Sequence, residues 1–129
     1  MKASRGFVLA AVLAASAWNL VLVVAAIFNA HWVLTRVDGG QFKSLPPGLR
    51  FANLGFTVLT LWVMVFAWRL WKSGGARTKN DLLWAKLVVI MYTLSTLINA
   101  ISKSPDERIN AIPAAIVLGG FILLRRPVD

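Results

Sequence analysis

Residues 7–34 read FVLAAVLAASAWNLVLVVAAIFNAHWVL, without a single acidic or cationic side chain. A helix needs roughly 20 predominantly apolar residues to cross the hydrocarbon of a bilayer, and this run exceeds that length. Three further apolar runs follow at Phe51–Trp71, Leu82–Ile101 and Ala111–Leu124. The pattern predicts an all-α membrane protein. It is an up-down bundle of four transmembrane helices, a single domain over residues 1–129, with spans near 7–34, 51–71, 82–101 and 105–124.

Composition agrees with that reading. Of 129 residues, 58% are hydrophobic, and the mean hydropathy is +0.70. A soluble domain of this size keeps too much of its surface in water to hide so much apolar side chain. The net charge of +9 would point to nucleic acid in a soluble protein, but here the cations sit at the ends of the apolar runs, so no nucleic-acid partner is expected. Cysteine is absent, which excludes disulfides, thiolate metal sites and thiol-redox chemistry. No cofactor is expected.

Lys2 and Arg5, the run Phe7–Ala15 and the small residues Ala15-Ser16-Ala17 imitate a secretory signal with a cleavage site. The run nevertheless continues unbroken to Ile27, so an uncleaved first span is the expectation. With the termini inside, Lys2, Arg5, Arg69, Lys72, Arg77, Lys79, Lys86, Arg125 and Arg126 lie on the inner side. Arg36, Lys43, Arg50, Lys103 and Arg108 lie outside. Nine cations against five favour cytoplasmic termini in a plasma-membrane protein. Trp68, Trp71 and Trp84 then form an inner aromatic belt, with Trp32 and Phe51 at the outer interface.

The first helix is expected to run about 28 residues, to Leu34, and hence to tilt or project. Gly39-Gly40 and Pro46-Pro47-Gly48 mark Thr35–Arg50 as an external loop, and Gly74-Gly75 marks an inner hairpin with Asn80 or Asp81 capping the third helix. Ser104-Pro105-Asp106-Glu107 carries a capping-box signature for the fourth helix, in which Pro113 should produce a kink and free backbone carbonyls.

Polar residues inside spans are the first place to look for chemistry. Tyr92, Ser95, Thr96, Asn99 and Ser102 recur at spacings of three and four, on one stripe of the third helix. Asn29, Asn53, Asn99 and Asn110 all fall in the outer third of the membrane. Asn29, Asn53, Tyr92, Ser95, Asn99 and Asn110 are therefore the candidate ligand-binding set, in an outward-facing pocket with His31, Glu107 and Arg108 at its mouth. Amides supply both donors and acceptors, which suits a neutral or zwitterionic ligand. The competing explanation is hydrogen bonding between helices, which uses the same residue types. No catalytic or metal-binding constellation is present: the lone histidine lacks a partner, and the five acids lie in loops or at helix ends. The missing intramembrane acid also counts against a small multidrug-resistance exporter, which depends on a glutamate in its first helix.

Ala111, Ala115 and Gly119 recur every four residues and give the fourth helix a flat face. That face would pack on the first helix, or form a seam with a second copy or a membrane-protein partner. The stretch Ile98–Arg126, with Ser104-x-x-Glu107-Arg108, Pro113 and a closing apolar run, resembles the ends of small uncharacterised bacterial four-span membrane proteins. The resemblance covers about a quarter of the chain and implies no activity. Three functions follow from these features: an accessory subunit docking by its small-residue face, an oligomeric binding or transport protein for a small molecule or lipid, and a headgroup enzyme using Glu107 and His31. The first is favoured by small size and the absence of a catalytic cluster.

Overall fold

Helix α1 runs from Lys2 to Ile27, α2 from Pro47 to Ser73, α3 from Lys79 to Ala100, and the fourth span is split into α4, Pro105–Arg108, and α5, Ala111–Leu124. The computed structural model describes residues 2–128. Four helical segments are long and apolar enough to cross a membrane: Ser4–Ile27, Pro47–Ser73, Lys79–Ala100 and Pro105–Leu124. They alternate in direction, so the chain is a multi-pass, four-helix membrane bundle whose two ends emerge on the same side.

α1 lies between α2 and α5, and α5 lies between α1 and α3. The consecutive helices α2 and α3 scarcely approach one another. Val12, Val63, Val88, Val117, Phe121 and Leu124 form the centre of the main core, each at most 2% exposed. A second cluster, of Leu22, Ala26, Val33, Leu34 and Leu45, packs the loop after α1 onto that helix's far end.

The first helix stops at Ile27, short of Leu34. Asn29 adopts the left-handed conformation (φ 54°), accepts a hydrogen bond from the Leu45 amide at 2.8 Å and donates to Ser44 Oγ at 2.9 Å. These bonds reward the turn, and a short 3₁₀ segment, His31–Val33, follows. At the other end of the loop, Pro47 takes the first helical position of α2, where its missing N–H costs nothing, so that helix begins earlier than the apolar run.

The third helix is capped by Thr78, neither Asn80 nor Asp81. Thr78 Oγ1 accepts from the Asp81 amide while Asp81 Oδ2 accepts from the Thr78 amide, a complete capping box. Ser104 caps the fourth span as its signature predicts, but Glu107 does not complete that box. The Ser104 amide donates to Ser102 Oγ, and the Glu107 carboxylate is used elsewhere. The break in the fourth span falls at Ile109–Asn110, one turn before Pro113. Proline offers no N–H to the Ile109 carbonyl, which instead accepts from Ile112 at 3.1 Å, so the freed group stays satisfied.

The end bearing the termini is tied by Arg5. Its guanidinium donates to the carbonyls of Leu70, Leu123, Leu124 and Arg126, at 2.9–3.4 Å, joining the last turns of α2 and α5. A cation suits helix C-termini, where unpaired carbonyls concentrate negative charge. The chain beyond α5 returns across the α2–α3 turn, with Ala76 N–H bonded to Arg125 O and Val128 N–H to Gly74 O. Gly75, at φ 120°, lies so close beneath Arg126 that a Cβ would sit 2.5 Å from its carbonyl oxygen.

Close approach of α5 to α1 is made at Gly120, where an added Cβ would collide with Val12 Cγ2. The predicted small-residue face is not that contact. Ala115 is exposed, Ala111 and Gly119 are half-buried, and nothing lies within 4 Å of a Cβ built on Gly119. Gly120→Ala should therefore cost about 1–3 kcal/mol through overpacking, whereas Gly119→Ala should change stability by less than about 0.5 kcal/mol. Reversible unfolding in mixed detergent micelles measures both; equal effects would displace the α1–α5 crossing from Gly120.

Candidate functional site

A cavity of about 190 Å³ lies between the two apolar clusters, toward the end opposite the termini. Leu22 and Leu49 form part of its wall on one side, and Ala114 and Val117 on the other. The space is comparable to the ~150 Å³ engineered cavity that takes up benzene, and so suits a small group rather than a large ligand. Its polar lining comes from every span: Asn19 on α1, Asn53 on α2, Tyr92, Ser95 and Asn99 on α3, and Glu107 and Asn110 on the fourth. Trp18 on α1 and the loop residues Arg36, Val37 and Asp38 complete its outer wall.

Five of the six residues expected from sequence thus meet at one cavity: Asn53, Tyr92, Ser95, Asn99 and Asn110. Asn29 does not; its side chain is consumed by the loop turn described above. His31 is exposed and does not line the cavity. Arg108 turns back on its own segment, donating to the carbonyls of Ser102 and Lys103. Arg36, Asp38, Asn19 and Trp18 were not among the expected set. Asn19 carried the available signal, a polar residue near the middle of an apolar run; the others depend on how an irregular loop folds.

The hydrogen bonds divide the lining into two groups. Asn110 is fully employed: Trp18 Nε1 donates to its Oδ1 at 3.2 Å, and its Nδ2 donates to the Arg36 carbonyl at 2.9 Å. Asn19 Nδ2 donates to Thr60 Oγ1 at 2.9 Å, linking α1 to α2, while its Oδ1 has no partner among the described residues. These are the interhelical bonds that polar residues ordinarily make in membranes.

The second group is only half used. Asn53 and Asn99 spend their Nδ2 groups on carbonyls one turn back in their own helices, Leu49 and Ser95, which leaves both Oδ1 atoms without partners among the described residues. The Tyr92 hydroxyl likewise has no partner among them, although the residue is only 7% exposed. Groups of this kind are rare in apolar surroundings unless something else satisfies them.

Charge is similarly unbalanced. Glu107, 9% exposed, accepts at Oε2 from the Gly39 amide (2.7 Å) and from Ser102 Oγ (2.6 Å), and its Oε1 is unbonded among the described residues. Asp38 makes no hydrogen bond there, and burial followed by repulsion from Glu107 pushes its carboxyl above the ordinary value. The only ion pair among the described residues is Arg69–Asp81, near the opposite end. The Arg36 guanidinium lies over the Trp18 ring, 5.9 Å from its centroid, and is also without an ion pair. One cavity therefore collects two carboxylates, a guanidinium and a set of free acceptors, none neutralised by another.

The outer wall is held in place by the fourth span. Thr35 Oγ1 donates to Asp106 Oδ2 at 2.8 Å, Ser104 Oγ donates to the Thr35 carbonyl, Gly39 N–H reaches Glu107, and Asn110 reaches Arg36 O. The Asp106-Glu107 pair is thus accounted for by loop attachment as well as by its position in a first helical turn.

No family model matches this chain, and no match was found among curated proteins or solved structures.

A raised carboxyl stabilises the fold only below its unfolded value, and that contribution is lost as pH rises through its folded value. At neutral pH the charge on Asp38 is therefore a cost. Asp38→Asn should raise the melting temperature at pH 7, and the gain should vanish as pH approaches the ordinary carboxyl value of 3.8. Thermal melts of both proteins across that interval check it; a lower melting point for the variant at pH 7 would mean that the carboxylate is paired.

Proposed function

We propose that the protein is a binding or carrier protein for a small zwitterionic group, held in this cavity and reached from the outer face of the plasma membrane. The termini are cytoplasmic in this reading, supported by the nine-to-five distribution of cations. The single observation that carries it is the convergence of unpartnered polar groups: Tyr92 Oη, Asn53 Oδ1, Asn99 Oδ1 and the carboxylate and guanidinium groups at the mouth. These atoms open onto the cavity and are already held in position by the helices and the loop, so a ligand that pairs them gains affinity from preorganised groups.

An enzymatic reading has less support. Glu107 is held by two hydrogen bonds and His31 lies away from the cavity, so no acid–base pair addresses a common point. A docking role keeps one specific observation in its favour, the exposure of Ala115 between the half-buried Ala111 and Gly119. Under that role Ala115→Trp should release a co-purifying membrane protein while leaving the monomer folded.

The cavity reading is tested by melting the detergent-solubilised protein with soluble zwitterions such as glycerophosphoethanolamine and glycerophosphocholine. A stabilising compound should lose about tenfold in affinity in Asn99→Leu and in Tyr92→Phe, the worth of one hydrogen bond to a ligand. The apo melting points should barely move. No stabilisation of the wild type by any member of the panel would remove this reading.

A further inference from the structure

The cavity is not closed toward the lipid. A second space of about 190 Å³ shares Asn19, Phe56, Tyr92 and Ser95 with it and extends between α2 and α3 to Leu59, Thr60 and Met91. A third, sharing only Leu59 with the second, lies around Trp62 and Trp84 beside the polar residues Arg69, Thr78, Asn80 and Asp81. Together they trace a groove along the gap that α2 and α3 leave open. It is closed at its far end by the edge-on Trp62–Trp84 pair (5.6 Å) and the 2.5 Å Arg69–Asp81 ion pair. From Ser95 to Trp84 the groove covers about 11 residues of α3, roughly 16 Å at the helical rise, which is the depth of one leaflet of a 30 Å hydrocarbon core.

Resting on the cavity reading above, we propose that the ligand is a membrane phospholipid with an ammonium-bearing headgroup, which enters sideways between α2 and α3. Three observations select that chemistry. The upper cavity sets a ring of polar and charged groups into a largely apolar wall and is of headgroup size, and the groove leading from it passes the apolar side chains of Phe56, Leu59 and Met91 before reaching Trp62, with Phe56 53% exposed. Asp38 and Glu107 repel one another without a cation between them, and an ammonium supplies it. Arg36, unpaired over Trp18, offers a guanidinium to the phosphate that such a headgroup carries next to its amine. A water-soluble zwitterion would satisfy the cavity and leave the groove unexplained; a lipid accounts for both. The polar groups of Tyr92, Ser95 and Asn19 at the junction face the glycerol and ester region, where an acyl chain begins.

The test uses the full chain in nanodiscs of phosphatidylethanolamine, phosphatidylglycerol and phosphatidylcholine in equal parts, followed by native mass spectrometry. Wild type should retain one phosphatidylethanolamine, enriched at least tenfold over phosphatidylglycerol, and Asp38→Asn with Glu107→Gln should erase the preference. Leu59→Trp and Met91→Trp, which fill the groove from opposite walls, should lose the lipid yet still be stabilised by soluble glycerophosphoethanolamine, which also shows that they fold. In wild type, a phosphatidylethanolamine with a diazirine in its chain should cross-link within residues 56–62 and 84–92 in preference to the exposed Val65 and Ile112, without recourse to any variant. Equal retention of phosphatidylglycerol overturns the ammonium assignment. Stabilisation by the soluble headgroup with no retained lipid and no localised cross-link overturns the groove and leaves the cavity reading standing. If neither soluble headgroup nor lipid binds, both fall.

Discussion

The attachment of the first loop to the head of the fourth span is the constraint on which the cavity depends. Without the bonds from Thr35, Gly39 and the Arg36 carbonyl to Asp106, Glu107 and Asn110, residues 35–40 would have no fixed place over the helices. The polar first turns of the fourth span make this possible. α5 alone, at 14 residues, is only about 21 Å long and cannot cross the hydrocarbon. The remaining depth is supplied by Ser104–Asn110, in which Ser104, Asp106, Glu107, Arg108 and Asn110 carry hydrogen-bonding side chains. A short apolar run thus imposes a polar plug on the end of the bundle opposite the termini, and the cavity forms where that plug meets α1, α2 and α3.

The same economy of apolar length shapes the opposite end. Arg5 satisfies carbonyls from the final turns of two helices, and the tail after Leu124 pairs with the α2–α3 turn. Those contacts clamp α2, α5 and the start of α3 together near the termini. No comparable link joins α2 to α3 at the other end, where Asn53, Tyr92 and Asn99 spend their donors or backbones within their own helices. The bundle is consequently tight at one end and parted at the other, and the parting is lined by residues that suit a lipid chain.

The number, order and direction of the spans were legible in hydropathy alone, because a bilayer leaves the backbone few alternatives to the helix. Helix depth was legible too, and depth with spacing placed Asn53, Tyr92, Ser95, Asn99 and Asn110 at a common level where they do meet. What periodicity could not supply was helix rotation and loop path. Gly119 and Gly120 are adjacent, and only the rotation set by packing decides which of them meets Val12. Asn29 resembled a pocket amide by depth, but a left-handed turn claimed its side chain. Arg36 and Asp38 lie in an irregular segment whose route follows from side-chain bonds to residues some 70 positions away, a separation that no local pattern encodes.

Stability and recognition are opposed at this site. Asn110 uses both its amide oxygen and its amide nitrogen, and Asn19 ties α1 to α2 through its nitrogen alone. Tyr92, Asn53 and Asn99 are incompletely bonded, and each unpartnered group carries a desolvation penalty of about 1–3 kcal/mol when no water or ligand meets it. Asp38 adds to that cost through its repulsion with Glu107. A protein of this size has little margin to spare. Unpaired polarity between two apolar clusters is what the proposed ligand would pair, its ammonium donating to the carboxylates and amide oxygens and its phosphate accepting from Arg36.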